Sequence, residues 1–312
     1  MLLKIRRFSI SSLENEIRIG VMRTCFLWFL LLMLLQSASA LAGEHLPLSK
    51  TFIGQNKFHQ MARKAVKEQW GRLPMGSRMV KVAKELEGLP YKSYTLEIDN
   101  HVESPSVNFS GMDCWTFFET CLAFCRMLET PKAQYTPHDL LRQIEWTRYR
   151  GGRCNGNYLD RIHYLAEWYT DNHKRGNIYD LTRRFPSQRM HNKCQEMTIL
   201  WKSYRYLKHN PHLRRGMAEH EARLTKMPVY MVPKHKVASI ENQLQNGDII
   251  GIASKHNGGY CSHVGIVIKD AQGRARFMHA STTYKKVVID STISGYLYKF
   301  NKHAGILVAR PR

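Results

Sequence analysis

No stretch rich in Ser, Gly or Pro divides the 312 residues, and no internal repeat or low-complexity tract runs through them. Those absences remove flexible domain strings and solenoids and favour one large domain. Cys-x-x-Cys pairs and a His-Glu-x-x-His helix are also missing, so the cysteines and histidines do not spell a metal centre. Acidic residues are few: 25 Asp and Glu stand against 47 Lys and Arg, a formal net charge of +22. Such a field attracts polyanions. Zinc-finger spacing, a recognition-helix pattern and an aromatic RNA-binding signature are all lacking, so nucleic acid is not the expected partner. Envelope polymers carrying carboxylate or phosphate groups fit the charge better.

Residues 23–40 set one positive charge, Arg23, before an apolar run over 25–35 and a small-residue Ala38-Ser39-Ala40 site. That is the layout of a secretory signal peptide over 1–40, with an apolar run too short for a comfortable membrane span. Met22 stands directly before it, which makes an upstream start codon the simple account of residues 1–21; an uncleaved anchor is the rival reading. Cleavage would leave 41–312, enough for a substantial core, with no integral membrane span and a periplasmic or secreted location. Six cysteines would remain in an oxidising compartment. A Cys154–Cys194 bridge and six free thiols both stay open.

Helical signals fill the first two thirds of that chain. They cover 57–70, then 77–88 with Ser77 as cap and Gly88 as stop, then a helix after Cys114. A further one opens at Thr136 and Pro137, and others run over 158–173 and 195–207. Past Met227 the pattern turns to short β-rich runs: "PVYMV", "GDIIGIA", "HVGIVIK", "RARFMHAS", "KKVVID" and "AGILVAR". Helices first and strands second imply an α+β domain with a largely antiparallel sheet.

The stretch "NFSGMDCWTFFETCLAFC", residues 108–125, carries the chemistry. Ser110 or Asp113 can cap the helix that follows, "SGMD" having the form of a capping box. Either choice puts Cys114 in the first turn, where the helix dipole and unpaired N–H groups favour a thiolate. Cys121 and Cys125 fall at helical spacing on an apolar face and read as core. A lone Cys in such a run is usually core as well, so Cys114 needs partners. A hairpin folded about Ala271 as a three-residue loop would place His263 directly opposite His279. Two imidazoles on one side of a sheet make a base and an orienter for a cysteine nucleophile. Unrelated strand histidines are the plain alternative, and zinc held by Cys114, His263 and His279 is the other.

Five pieces in order, "GLPY", "MDCWTFFE", "GDIIGI", "SHVGIVI" and "FMHAS", resemble the NlpC-type, papain-like cell-wall hydrolases. "LPYKSYTLE", "NFSGMDCWTFFE" and "RYRGGRCNGNYLDRIHY" resemble more narrowly the N-acetylmuramoyl-L-alanine amidase-like branch, from about residue 81 onward. Two departures from its wording are the bulky Trp115 and Lys92.

The resemblance implies a papain-like domain over 41–312 with a helical insertion at about 131–226. In it Cys114 is the nucleophile, His263 the general base and acid, His279 the orienter, and Tyr91 a neighbour able to help hold an oxyanion. Arg148, Arg150, Arg161 and His163, in the branch-specific stretch, become candidates for binding the peptide carboxylates of a muropeptide. No metal or organic cofactor is implied. The expected reaction is hydrolysis of the amide between N-acetylmuramic acid and L-alanine in peptidoglycan fragments. A γ-D-glutamyl-diamino acid endopeptidase and a non-catalytic basic envelope-binding protein are the alternatives.

Overall fold

A computed structural model describes residues 45–312 apart from Asn257; the signal peptide expected at 1–40 lies outside the described residues. All six β-rich runs are strands: β3 (Tyr230–Pro233), β4 (Ile249–Ser254), β5 (Cys261–Lys269), β6 (Ala275–Ser281), β7 (Lys286–Thr292) and β8 (His303–Pro311). Two short strands, β1 (Ile178–Asp180) and β2 (Gln188–Arg189), complete an eight-stranded sheet of order β2-β3-β8-β4-β5-β6-β7, with β1 also beside β8. Every pairing in it is antiparallel. The α+β expectation therefore holds. Among the described residues, no helix is long and apolar enough to cross a membrane.

The helices include α1 (Gln55–Lys67), α2 (Met75–Glu85), α3 (Cys114–Met127), α4 (Pro137–Arg148), α5 (Leu165–Lys174), α6 (Leu213–Lys226) and α7 (Ile293–Tyr298). Thr136 and Asp139 cap α4 reciprocally, with Pro137 at its first position. Four local expectations differ from the structure. The helix expected over 158–173 is a single turn at Tyr158–Asp160 followed, after a non-helical break, by α5 from Leu165. Helix α2 opens after Pro74, whose extended backbone takes the cap position, so Ser77 lies inside it. The segment 195–207 breaks into single turns at Glu196–Ile199, Trp201–Ser203 and the start of Arg205–His209. The stretch 131–226 is not purely helical, because β1 and β2 lie in it; strands of three and two residues offer no alternation to read.

Strand alternation divides the core in two. Ile249, Ala253, Val264, Ile266, Met278, Ala280 and Val287 face the layer that holds α3. Ile250, Ile252, Val267, Phe277 and Val308 face the other layer, under α7 with its Ile293, Tyr296 and Leu297. Period-two alternation sends His263 and His279 to this second face, and both rings pack on Phe277 and Tyr296.

The hairpin register corrects the sequence reading. Ile266 pairs with Met278, Val267 with Phe277 and Ile268 with Arg276, and the loop centres on Gln272 rather than Ala271. Gly273 is its last residue, at φ +75°, and its N–H donates to the Asp270 carbonyl. That left-handed position is why glycine ends the loop. The shift is two residues, so every side chain keeps its face, and the histidines become diagonal rather than direct neighbours.

Helix α3 is buried almost all round, with Phe117, Phe118, Glu119, Cys121 and Phe124 at 0% exposure. Glu119 meets Arg148 from α4 at 2.7 Å, both side chains fully enclosed, and Arg148 Nη1 donates to the Ser106 carbonyl at 2.9 Å. Removing one partner of such a pair strands a buried charge, at a cost of about 3–5 kcal/mol. We expect Glu119→Gln to lower stability by that amount, read as a fall in the urea midpoint at unchanged slope. A loss below about 1 kcal/mol would show the pair to be dispensable.

Candidate active site

Asp113 is the residue that caps α3. Its Oδ1 accepts from the Thr116 N–H at 2.8 Å while Thr116 Oγ1 accepts from the Asp113 N–H at 3.1 Å. The reciprocal box is Asp113 with Thr116, and Ser110 stays outside it. The second oxygen of Asp113 accepts from the Thr95 hydroxyl at 2.9 Å. Cys114 is thus the first helical residue, partly exposed at the end of a buried helix.

His263 stands on β5 one residue past a bulge. Ile252 pairs with His263 but Ala253 pairs with Cys261, leaving Ser262 as the extra residue. Bulges re-aim the side chains beside them. His263 Nε2 lies 2.7 Å from His279 Nδ1, the rings nearly perpendicular. The diagonal continues onto β7, where Asp290 Oδ2 lies 3.6 Å from His279 Nε2. A second bulge falls between the Arg276–Thr292 and Met278–Ile289 pairings, at the height of Asp290.

Two cavities of about 260 and 280 Å³ meet at a seam formed by Cys114, Ser262 and His263. The first is walled by Tyr94, Trp115, Tyr204 and the carboxyl-bearing Glu97, Asp113 and Glu196. The second is walled by Tyr91, His279, Ser281, Thr282, Lys299 and Lys302. A substrate with two chemically unlike halves could lie across the seam.

Electrostatics modify the expected thiolate. Desolvation, with the Asp113 carboxylate next, pushes the Cys114 thiol up to about 12, against the backbone N–H groups of Val264, Trp115 and Cys114 itself. Desolvation likewise holds His263 well below the usual imidazole range, helped by its neighbour His279. At neutral pH the resting pair is therefore thiol and free imidazole rather than thiolate and imidazolium. Burial and the nearby Cys114 raise Tyr91 to about 12, so its hydroxyl stays protonated as a donor in the second cavity.

The candidate carboxylate binders fare differently. Arg150 is ion-paired with Glu167 and lines neither cavity, so the expectation for it is not met. Arg148 is fully buried in its pair with Glu119 and lines neither cavity, so the expectation for it gives way to a structural role. Arg161 lines the first cavity, but Glu97 at 2.5 Å and Glu103 at 3.3 Å neutralise it. His163 lines the same cavity, its Nε2 donating to the Tyr158 carbonyl at 3.0 Å. Burial and the Arg161 and Arg150 charges keep that ring well below the usual imidazole range, hence neutral. Of the two departures, Trp115 walls the first cavity, whereas Lys92 reaches neither.

All six described cysteines are free, Cys154 and Cys194 among them. Among the described residues, no group of His, Cys, Asp and Glu could hold a metal ion. Sequence reasoning missed Asp290, Tyr296, His303 and the Tyr94 and Tyr204 walls. Asp290 had a signal, as the last residue of the "KKVVID" strand; the cavity walls, in irregular segments, had none.

An antiparallel sheet backed by helices, with a cysteine and a histidine pair at the seam of a cleft, has the build of an α+β hydrolase. Comparison with known proteins gives the class: the AmiA-like family, described as N-acetylmuramoyl-L-alanine amidase-like, matches residues 81–306. The chain belongs to this family, and with it to the amidases of peptidoglycan. An N-acetylmuramoyl-L-alanine amidase from Bacteroides uniformis, known from a crystal structure at 1.15 Å, is 29% identical with TM-score 0.68, over 76% of this chain and 99% of its own. A putative xylanase from Bacteroides fragilis is 31% identical with TM-score 0.65, over 73% and 98%. A protein of Legionella pneumophila, 19% identical with TM-score 0.59 over 82% and 95%, shares the fold. No curated protein matches the chain.

The neutral resting pair has a measurable consequence. Alkylation of Cys114 by iodoacetamide should be slow at pH 7 and climb steadily toward pH 10, because only the thiolate reacts. A rate already at plateau by pH 6 would show a preformed thiolate and overturn the neutral-pair reading.

Proposed function

We propose that the chain is a cysteine amidase of the NlpC-type, papain-like superfamily that hydrolyses the amide between the lactyl group of N-acetylmuramic acid and L-alanine in muropeptides. One observation carries the reading: in a chain of the amidase-like family, Cys114 and the His279-bonded His263 share the seam between two cavities of unlike chemistry.

His263 takes the Cys114 proton as sulfur attacks the carbonyl carbon. The oxyanion is received by the Cys114 N–H, one of the unpaired donors of a helix start, and by the Tyr91 hydroxyl. The C–N bond then breaks, and His263 passes its proton to the departing L-alanine nitrogen. Water, deprotonated by the same histidine, attacks the thioester and restores the thiol. His279 orients His263 through the 2.7 Å contact. No metal or organic cofactor enters these steps.

Incubation with a disaccharide tetrapeptide should release an intact tetrapeptide with a free L-alanine amine, plus the disaccharide, as read by mass spectrometry. Cys114→Ser should reduce turnover by about three orders of magnitude or more while the circular dichroism stays unchanged. Products with L-alanyl-D-glutamate still on the sugar would replace this reading by the endopeptidase. Near wild-type turnover in Cys114→Ser would return Cys114 to the core.

The same reading places the enzyme in the periplasm or outside the cell, after removal of residues 1–40, with peptidoglycan fragments as its partner. N-terminal sequencing of the exported protein should begin at or near Leu41. An exported chain still carrying residues 1–40 would overturn the signal-peptide assignment.

A further inference from the structure

His279 Nε2 is buried without a hydrogen bond, in a side chain only 2% exposed, and the oxygen facing it is Asp290 Oδ2 at 3.6 Å. An imidazole nitrogen enclosed without a partner is costly, and a small rotation of either side chain brings the two within bonding distance. The pairing on its other side constrains the protons further. Across the 2.7 Å contact between His263 Nε2 and His279 Nδ1, one nitrogen donates and the other accepts.

We propose that Asp290 is a positioning residue that fixes the proton arrangement of both histidines. Accepting from His279, it holds the hydrogen on His279 Nε2 and leaves Nδ1 as an acceptor. His263 must then carry its hydrogen on Nε2, which leaves its Nδ1 lone pair for the Cys114 thiol. Three strands thereby pass one instruction along a diagonal, from β7 through β6 to β5. The inference rests on the cysteine-amidase reading only for its catalytic consequence; the proton arrangement can be read without turnover.

The charge balance around the pair is set from several elements. Lys299 is ion-paired with Asp290 through Oδ1, leaving Oδ2 toward His279. Lys302 and His303 approach from the start of β8, Tyr296 from α7, Cys114 from α3, and Tyr91 and Tyr284 from the loops that complete the cavity. Burial holds His279 below the usual imidazole range, at about 4; against it the Asp290 charge favours the cation, and Lys299 opposes it.

The test uses the protein labelled with 15N-histidine, His263 and His279 being assigned by substitution. The expected spectrum shows His279 protonated at Nε2 and bare at Nδ1. Asp290→Leu should mix the two forms and lower kcat at least tenfold with KM within twofold. Asp290→Asn, whose amide oxygen still accepts, should restore the form, yet move the acid limb of kcat/KM to lower pH because the cation has lost its carboxylate. Lys299→Gln should move that limb to higher pH, an opposite sign that a merely structural role would not give.

His279 protonated at Nδ1 in the unaltered protein would overturn the proposal. So would unchanged spectra and pH limbs in folded Asp290→Leu. Should that variant fail to fold, an acid limb that stays put or moves downward in Lys299→Gln overturns it. Absence of amidase activity with the expected spectrum would instead refute the catalytic reading and leave the proton arrangement standing.

Discussion

The position of α3 is the constraint on which the site depends, and the buried Glu119–Arg148 pair fixes it. A helix apolar nearly all round could slide along its axis with little change in buried area, since Phe117, Phe118, Leu122 and Phe124 would meet similar neighbours. Its one acidic residue could not. A slide by one turn would draw Glu119 away from the Arg148 guanidinium and strand two charges in a medium that penalises each by several kcal/mol. The pair adds little net stability against an apolar alternative, but it permits one height of the helix. That height delivers Cys114 to the bulge at Ser262.

The sheet supplies the other half by register alone. His263, His279 and Asp290 belong to three consecutive strands and share a face through period-two alternation, displaced diagonally from one strand to the next. Phe277 and Tyr296 pack on the two rings, and Tyr296 also stacks on His303, so the imidazoles are held by aromatic walls. At Gly265 a side chain would meet the Met278 carbonyl at 2.5 Å and the Phe277 ring at 2.7 Å. The glycine is what lets β5 and β6 lie close enough for diagonal partners to touch.

Much of this was legible beforehand. The six strands, the helix start at Cys114 and the shared side of the two histidines follow from short-range patterns: alternation, capping chemistry and a glycine-ended loop. An even error in the hairpin register did no harm, because period two preserves the face. Long-range charge pairing was not legible. Arg148 and Arg161 read as candidate binders of a substrate carboxylate, and nothing local could reveal that Glu119, Glu97 and Glu103 reach them from elsewhere in the chain. The same distance hides the thiol's environment, because a cap position promises stabilised negative charge whereas desolvation and the capping Asp113 itself reverse the sign.

That reversal bears on how long the enzyme survives. A cysteine sulfur attacks hydrogen peroxide and disulfides as the thiolate, and each oxidation beyond the sulfenic acid is hard to undo. On the proposed mechanism, a nucleophile held as a neutral thiol until His263 takes its proton would offer oxidants little to react with between turnovers. Cys114 lies partly exposed in a cleft, and its shelter from oxidation is electrostatic rather than steric. Burial first, and then the carboxylate that starts the helix, keep its sulfur protonated.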